Sequence, residues 1–237
     1  MEIILVGACG KMGREVARGL FDGMHIAASV DLCSHCKNIS DYRGDADVII
    51  DFSSHTATEE TLTYAVRRGL PCVIASTGQN SRERAALTRA AAHIPVFYSE
   101  NMSLGIAVLL ESAKAAAEIM RDAEIEIIEK HHSAKLDSPS GTALMLAREL
   151  LSENGRIVTA RNGDEPRAGH DIGISSVRIG NIRGYHEVII SNGKETLSFS
   201  HEVEDRSVFA RGALSAACFI IKKEKGLYGM YDLVHLK

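Results

Sequence analysis

Short apolar segments alternate with helical patterns along the first hundred residues of the chain. Apolar runs that predict strands lie at residues 3–6, 25–31, 47–52, 71–75 and 94–98. Segments of helical composition lie between strands, at residues 14–20, 57–68 and 82–92. Strands that are apolar on both faces and separated by helices are typical of a parallel sheet covered on both sides. The first half is therefore predicted to be α/β, with a Rossmann-like arrangement of strands and helices.

The pattern changes after Asn101. Helices are predicted at residues 104–121, 140–153 and 207–223. Strands are predicted at residues 124–129, 174–179, 185–190 and 195–201. Asn192-Gly193 is a strong hairpin signal between the last two strands, and Gly226 is placed to end the last helix. This order predicts an α+β second domain with a mixed sheet.

Composition narrows the class of protein without deciding its function. The chain has 237 residues, of which 45% are hydrophobic and 24% charged, and its mean hydropathy is −0.03. These values exclude a disordered chain, and no apolar run approaches the roughly 18 residues that cross a bilayer. A net charge of −4 argues against a nucleic-acid-binding face. The five cysteines are scattered without a disulfide framework, so we expect reduced thiols and a cytoplasmic location.

A glycine-rich turn follows the first predicted strand. Residues 7–13 read Gly-Ala-Cys-Gly-Lys-Met-Gly, a Gly-x-x-Gly-x-x-Gly pattern that leads into the first helix. Glycines let a pyrophosphate approach the main chain, and the amides at the start of the helix then face its oxygens. The position between a strand and a helix favours a dinucleotide site. A tight turn without a ligand is the alternative interpretation.

Asp31 ends the second predicted strand, near the separation expected for an acid that binds an adenosine ribose. A carboxylate there accepts a hydrogen bond from the 2′-hydroxyl of NAD and repels the 2′-phosphate of NADP. The next residue, Leu32, offers no cation to offset that repulsion, which favours NADH. Lys11 could still reach a 2′-phosphate, so NADPH stays open. A helix cap or turn residue is the alternative for Asp31.

The densest group of chemically active residues lies at residues 126–143. A predicted strand delivers His131 and His132 into a loop that holds Lys135, and the loop opens a helix at residues 140–142, Ser-Gly-Thr. Histidines exchange protons near neutral pH, and the amides at a helix N-terminus bind carboxylates. A small dianionic substrate and proton-coupled chemistry fit this set, and a hydride carrier in the first domain would make the protein a reductase. A metal bound by the two histidines and a plain helix start are the alternatives; no ligand spacing supports the metal.

This segment resembles the signature of the dihydrodipicolinate reductase family. The family pattern Glu-[Ile/Val]-x-Glu-x-His-x-x-x-Lys-x-Asp-x-Pro-Ser-Gly-Thr-Ala is met at every position of residues 126–143. The glycine turn and the Asp-Phe-Ser at residues 51–53 also match, as do landmarks that continue to Asp232. The resemblance implies a reductase of the diaminopimelate route to lysine that uses NADH, NADPH or both.

The resemblance also implies roles for individual residues. His131 would be the proton donor and acceptor and Lys135 a proton donor, with substrate bound by His132, Lys135, Ser140, Gly141 and Thr142. The cofactor would contact Gly7, Ala8, Cys9, Gly10, Lys11, Met12, Asp31, Phe52, Ser53, Ala75, Ser76, Thr77, Ser99, Glu100, Asn101 and Met102. The nucleotide domain would comprise residues 1–102 completed by residues 212–237. Residues 103–211 would form a substrate-binding domain through whose sheet a homotetramer assembles.

Some positions depart from the family pattern or stand outside it. Ala-Ser-Thr-Gly at residues 75–78 replaces Gly-Thr-Thr-Gly, and Glu-Asn-Met at residues 100–102 replaces Ala-Asn-Phe, so we expect individual contacts of these two loops to differ from those of the family. Cys33 and Cys36 are spaced like a metal or redox pair, but loop filling is the favoured interpretation. A non-catalytic nucleotide-binding sensor and a related amino-acid dehydrogenase are the rival functions.

Overall fold

The structure is a computed structural model that describes residues 1–159, 161 and 166–235. The chain forms two compact units, each of which is described by itself. The first unit comprises Met1–Leu104 and Arg206–Lys237, and the second comprises Gly105–Asp205. The C-terminal segment of the chain thus belongs to the same unit as the glycine turn.

The strands and helices follow one another in the order that the sequence pattern suggests. The strands are β1 (Glu2–Val6), β2 (His25–Val30), β3 (Val48–Asp51), β4 (Cys72–Ile74), β5 (Pro95–Tyr98), β6 (Glu124–His131), β7 (Ile157–Val158), β8 (Ile172–Arg178), β9 (Tyr185–Ser191), β10 (Thr196–Glu202) and β11 (Gly226–Tyr228). The helices are α1 (Lys11–Arg18), α2 (Thr58–Arg68), α3 (Ser81–Ala91), α4 (Leu104–Ile119), α5 (Gly141–Leu150), α6 (Ser207–Ile220) and α7 (Met230–Val234). Short 3-10 helices lie at Ile39–Asp41 and His55–Ala57.

The first unit is a six-stranded sheet in the order β11-β5-β4-β3-β1-β2, and every strand pair is parallel. Ile49, Ile50 and Val73 in its centre are fully buried, because helices cover both faces of the sheet. The apolar sides of α1 and α6 pack on one face, and those of α2 and α3 pack on the other. A parallel sheet with two covered faces explains the continuous apolar runs, and the predicted α/β class is confirmed.

The second unit is built on a five-stranded mixed sheet in the order β10-β9-β6-β8-β7. The central strand β6 runs parallel to β8 and antiparallel to β9. One face of the sheet packs against α4 and α5 through a core that includes Ile127, Leu146 and Val188. The predicted α+β arrangement with a mixed sheet is therefore confirmed. Among the described residues no helix is both long enough and apolar enough to span a bilayer.

The end of the chain differs from its prediction. The last long helix ends at Ile220 rather than at residue 223, and Gly226 begins β11 instead of ending the helix. β11 pairs with β5 in parallel register and extends the first sheet by one strand. Neither β7 nor β11 lies in a continuous apolar run of about four residues, as the equally short β4 does at residues 72–75, so their sequences do not distinguish them from loops.

The turn at Gly7 generates a stability prediction. Gly7 has φ +78°, and a Cβ built there would lie 2.7 Å from the amide nitrogen of Ser53. We expect Gly7→Ala to lower the free energy of unfolding by roughly 1–3 kcal/mol through overpacking, in addition to the cost of left-handed backbone. Gly23 is the matched control, since it has φ +75° and no heavy atom within 4 Å of its built Cβ. Urea denaturation of Gly23→Ala should show only the backbone cost of about 1 kcal/mol, and equal losses in both variants would refute the steric explanation.

Candidate active site

The glycine turn lies where the carboxyl end of β1 leads into α1. The amide of Gly7 donates to the carbonyl of Val30 at 2.9 Å, and the amide of Gly10 donates to the carbonyl of Gly7 at 3.0 Å. Gly10 is the N-cap of α1, and no side chain of the N-cap residue accepts a hydrogen bond from the amides of the first helical turn. Such amides bind anions well. Ala8 and Cys9 are half-buried in this turn, and Lys11 is exposed.

A cavity of about 620 Å³ opens beside this turn within the first unit. Gly7, Gly10, Asp31, Phe52 and Ser53, all predicted to contact the cofactor, are among the residues that line it. The volume is in the range of small-molecule and cofactor sites. The structure therefore brings together residues from three separate loops that the sequence assigned to one ligand.

Lys37 also lines this cavity, together with Asp31 and Leu32. Lys37 was not predicted from the sequence, because the residue next to Asp31 is the uncharged Leu32 and Lys37 lies further along the chain. The loop after β2 turns back, with the amide of Asp31 donating to the carbonyl of Cys36 at 3.1 Å. That turn brings Lys37 to the cavity despite its six-residue separation from Asp31.

The turn after β3 is organised by a buried carboxylate. Asp51 is fully buried and accepts hydrogen bonds from the amide of Ser53 at 2.8 Å and from its hydroxyl at 2.5 Å. Burial raises the pKa of Asp51 above its usual value. The amide of Phe52 donates to the carbonyl of Val6, which ties this turn to the end of β1. Asp51 thus positions the two cavity-lining residues that follow it.

The loops after β4 and β5 lie at the same edge of the sheet, because the carboxyl ends of parallel strands share one edge. Ala75 and Ser76 are buried and Thr77 is exposed, and the Ser76 hydroxyl accepts a hydrogen bond from Gln79 at 2.9 Å. These loop residues are not among those that line the 620 Å³ cavity. The structure places them at the predicted edge but does not join them to the first cluster.

The departure at Glu100 has a structural counterpart. Its carboxylate forms an ion pair of 2.5 Å with Arg84 of α3, so the added negative charge is compensated locally. Ser99 donates to the carbonyl of Asn101 at 2.6 Å, and Asn101 accepts from the amide of Ser103 at 2.8 Å. Met102 is buried in the apolar core, as Met12 is in part, so neither side chain points to a polar ligand.

In the second unit, alternation along β6 decides which side chains enter the site. Ile125, Ile127, Glu129 and His131 share the face that packs against the helices, since side chains alternate along a strand. The first two belong to the apolar core, whereas Glu129 and His131 are buried polar groups at the carboxyl end of the strand. The apolar face of β6 therefore ends in a polar site.

Glu129 is the centre of this polar site. Its fully buried carboxylate accepts from Nδ1 of His131 at 2.5 Å and from the amide of Ser140 at 3.1 Å. Both terminal nitrogens of Arg178 also donate to it, at 2.9 and 2.7 Å. Burial alone would raise the pKa of Glu129, but the hydrogen bonds from His131 and Arg178 hold it well below its usual value. Glu129 is therefore an ionised carboxylate that fixes the orientation of His131.

A second histidine supports the start of α5. Nε2 of His186, on β9, lies 3.0 Å from the hydroxyl of Ser140, and that hydroxyl accepts from the amide of Ala143 at 3.2 Å. Burial lowers the pKa of His186 to about 3, so it is neutral near pH 7. The rings of His131 and His186 meet edge to face, with centroids 5.2 Å apart. Ser140 thus joins the N-terminus of α5 to both histidine-bearing strands.

The remaining predicted substrate residues lie on the loop between β6 and α5. Lys135 forms an ion pair of 2.8 Å with Asp137, and its amide donates to the carbonyl of His132. Burial would raise the pKa of Asp137, but the hydrogen bond and charge of Lys135 lower it below its usual value. His132 is half-buried, and Gly141 and Thr142 are the first two residues of α5.

Sequence interpretation assigned no role to Glu129, Arg178 or His186. Alternation along β6 could have placed Glu129 beside His131, because residues two apart share a face. The register of β6 with its neighbours places Arg178 opposite His131 and His186 opposite Glu129. That register depends on pairing between distant segments, and no local signal in the sequence specifies it.

The cysteine prediction is wrong for one pair. Cys9 and Cys33 are joined by a disulfide with Cα atoms 6.6 Å apart, whereas Cys36, Cys72 and Cys218 are free. The expectation of reduced thiols rested on the spacing along the chain. Because β1 and β2 are adjacent parallel strands, the loops at their carboxyl ends converge and bring the two cysteines together.

Comparisons with known proteins agree with this fold. The family model for the N-terminus of dihydrodipicolinate reductase matches residues 1–102, and the model for its C-terminus matches residues 105–234. The 4-hydroxy-tetrahydrodipicolinate reductase of Caldanaerobacter subterraneus subsp. tengcongensis is 40% identical over an alignment of 246 positions, gaps included, that covers 99% of this chain and 98% of the relative. That of Rickettsia bellii is 38% identical, over 98% of this chain and 94% of the relative.

A solved structure resembles the whole chain. The dipicolinate-bound dihydrodipicolinate reductase of Paenisporosarcina sp. TG-14 superposes with a TM-score of 0.76 at 21% identity, over 100% of this chain and 99% of that one. At this identity the likeness is evidence for the fold alone. The two family models together cover nearly all of the sequence. The chain belongs to the dihydrodipicolinate reductase family.

Proposed function

We propose that this protein is a 4-hydroxy-tetrahydrodipicolinate reductase that produces tetrahydrodipicolinate by hydride transfer from NADH or NADPH. One observation carries the proposal: His131, Arg178 and the N-terminus of α5 converge on the buried carboxylate of Glu129. His131 and Ser140 of the family signature thus lie around the carboxylate of Glu129, which belongs to the same signature. The relatives that match almost the full length of the chain are named for the same reaction.

The first unit fits a dinucleotide. Its glycine turn presents the amides of the α1 N-terminus, which suit a pyrophosphate, and Asp31 lines the neighbouring cavity where a ribose would lie. Gly7, Gly10, Phe52 and Ser53 would complete that part of the site. The loops that carry Ala75–Thr77 and Ser99–Met102 would hold the nicotinamide end, since they follow β4 and β5 at the same edge. The bound cofactor supplies the hydride.

The second unit fits a small dianion. Lys135 provides a positive charge, and the amides of Gly141 and Thr142 stand at the positive end of the α5 dipole. We assign substrate carboxylates to these groups together with His132 and Ser140. A positive clamp of this kind orients the substrate and favours the negative charge that develops as the ring is reduced.

His131 and Lys135 are assigned the proton chemistry. The substrate ring that accepts the hydride at C4 is the conjugated imine left after the 4-hydroxyl group departs as water. Glu129 holds Nδ1 of His131, which leaves Nε2 as the nitrogen that exchanges a proton with the substrate. Lys135 then donates the proton that completes the reduction, so one hydride and one proton are added overall.

We further propose that the enzyme serves the diaminopimelate route to lysine in the cytoplasm and assembles as a homotetramer. The face of the second sheet turned away from α4 and α5 supports the assembly. It carries Ile128, Lys130, Tyr185 and Ile189, a mixture of apolar and polar side chains that suits contact between subunits.

The cofactor assignment is tested by turnover with each reduced nucleotide. Freshly generated 4-hydroxy-tetrahydrodipicolinate should oxidise both, with a higher kcat/KM for NADH because Asp31 repels a 2′-phosphate. Lys37→Ala should lower kcat/KM for NADPH about tenfold and leave NADH unchanged, since a lost charge contact to phosphate costs about 1–2 kcal/mol. Lys11→Ala is the comparison, because Lys11 is the other candidate cation. Failure to oxidise either nucleotide would overturn the proposed function.

Lys135 should be needed for turnover rather than for cofactor binding. We expect Lys135→Ala to lower kcat by about a hundredfold or more, the usual contribution of a positioned proton donor. The Kd for NADH, measured by fluorescence, should not change. Lys194→Ala removes the same charge from the exposed turn between β9 and β10 and should behave as wild type. Unchanged turnover in Lys135→Ala would rule out its assigned role.

Glu129 should act as a positioning residue through His131. Glu129→Gln should lower kcat at least tenfold without changing the KM for NADH, and Glu129→Asp should recover part of the loss. The free energy of unfolding of Glu129→Gln should also fall by about 3–5 kcal/mol near pH 7, because Arg178 keeps its charge and loses the carboxylate of Glu129. Glu124→Gln makes the same change at an exposed position of β6; as the control, it should leave kcat unchanged.

The stability loss should depend on pH. The lowered pKa of Glu129 means that its stabilising effect is fully present above its ordinary value of 4.5 and is lost as the pH falls further. The difference in unfolding free energy between wild type and Glu129→Gln should therefore shrink below about pH 4.5. A difference that is constant from pH 7 to pH 3 would show that Glu129 is not an ionised partner in the folded protein.

A further inference from the structure

We propose that Cys9 and Cys33 form a reversible redox pair, and that their oxidation to a disulfide weakens NADH binding. The proposal rests on the proposed function, because it treats the cavity beside the glycine turn as the cofactor site. It concerns a modification of that site which the catalytic cycle does not require.

The fold places the two cysteines within bonding reach. Cys9 follows β1, Cys33 follows β2, and these neighbouring strands are paired in parallel up to Val6 and Val30. Their Cα atoms lie 6.6 Å apart, within the range that disulfides span. Because the separation along the chain is 24 residues, the pairing depends on the folded sheet.

The loop that carries Cys33 is itself held in place. The amide of Asp31 donates to the carbonyl of Cys36 at 3.1 Å, and the amide of Ser34 donates to the carbonyl of Asp31 at 3.0 Å. The Ser34 hydroxyl also lies 3.6 Å from the sulfur of Cys9. In the bonded form, the loop that carries Cys33 therefore keeps its backbone hydrogen bonds.

The disulfide joins two segments that must receive the cofactor. Cys9 lies in the turn whose amides would face the pyrophosphate, and Cys33 lies two residues after the predicted ribose ligand Asp31. In this cross-linked state the amide of Cys9 donates to Oδ2 of Asp31 at 3.0 Å. A phosphate-binding donor and a ribose-binding acceptor thus satisfy each other. This hydrogen bond would have to break before the Cys9 amide could bind the pyrophosphate and Asp31 could bind the ribose.

Cys36 and Cys72 are less suited to this chemistry than the Cys9–Cys33 pair. Cys33 is exposed and Cys9 is half-buried, so a small oxidant can reach the pair. Cys36 donates its thiol hydrogen to the carbonyl of Asn38 at 3.2 Å, and Cys72 is fully buried, where burial raises the pKa of its thiol. Oxidants act on exposed thiolates, so the pair that includes Cys33 is the favoured target.

Hydrogen peroxide is the oxidant that we assign. The exposed Cys33 thiolate attacks one oxygen of peroxide, the O–O bond breaks, and the departing hydroxide takes a proton to become water. The Cys9 thiolate then attacks the sulfenic sulfur of Cys33, the S–O bond breaks, and a second water leaves. Two thiols and one peroxide give one disulfide and two waters, with two electrons passing from the sulfurs to oxygen. A small dithiol reverses the change by exchange.

A metal is the competing interpretation of the same atoms. A carboxylate oxygen of Asp31 and the two sulfurs all lie within 4.8 Å of one another, the only such group among the described residues. The bonded sulfurs favour oxidation over metal binding, because the disulfide would have to be reduced to two thiolates before the sulfurs could ligate an ion. The test therefore includes a metal arm.

The experiment compares reduced and oxidised forms of the full-length protein. Protein reduced with dithiothreitol and desalted is treated with equimolar hydrogen peroxide, and its intact mass and Cys9–Cys33 peptide are measured by mass spectrometry. The Kd for NADH is measured by fluorescence before oxidation, after it, and after renewed reduction. We expect loss of two hydrogen atoms, at least tenfold weaker NADH binding, and full recovery with dithiothreitol.

Variants assign the effect to the pair. Cys33→Ser should bind NADH with the same Kd before and after peroxide, whereas Cys36→Ser should respond as wild type. A peptide linking Cys33 to Cys36, or a response that needs Cys36, would overturn the proposal. One tightly held zinc per chain in the reduced protein, with thiols that peroxide cannot reach until a chelator is added, would also overturn it.

The outcomes separate this proposal from the proposed function. If the reduced protein oxidises NADH with substrate and the disulfide forms without changing the Kd, only the redox proposal fails. If the reduced protein neither binds NADH nor turns over substrate, the cofactor assignment fails and the redox effect on it fails too.

Discussion

The second unit depends on one buried negative charge. The carboxylate of Glu129 is fully buried, and removing it from water costs several kcal/mol unless every oxygen is paired. Its partners come from three elements, namely β6, β8 and the start of α5. Any rearrangement that separated these elements would leave a buried charge without a partner. The contacts that orient His131 therefore also stabilise the folded form of this unit.

This constraint determines which cations can meet a ligand. Both terminal nitrogens of Arg178 donate to Glu129, and His186 is neutral near pH 7. Within the part of the chain that the structure describes, Lys135 forms its ion pair with Asp137, whose side chain is more than half exposed, and such pairs contribute little to stability. On the proposed function, a substrate carboxylate can replace Asp137 at small cost. A chain of net charge −4 can thus concentrate usable positive charge at one loop and one helix end.

Local patterns predicted most of the fold and only part of the site. Apolar runs, helical spacing and the Asn192-Gly193 turn located nearly all strands and helices, because each feature acts over a few residues. The family signature brought His131, Lys135 and Ser140 together with assigned roles. Lys37, Arg178 and the partner of Cys9 were missed, since each reaches its place through strand pairing or a loop that turns back. Such placements depend on tertiary contacts that no short window of sequence contains.

The polar groups assigned to ligands already have partners within the chain. The amide of Cys9 donates to Asp31, Lys135 pairs with Asp137, and Arg84 neutralises Glu100. A ligand must therefore exchange one hydrogen bond for another, and the net gain per exchange is about 1 kcal/mol rather than the full strength of the bond. Selectivity then depends on how many exchanges a ligand completes at once. A dinucleotide or a dicarboxylate completes several, whereas a simple anion completes one and gains little.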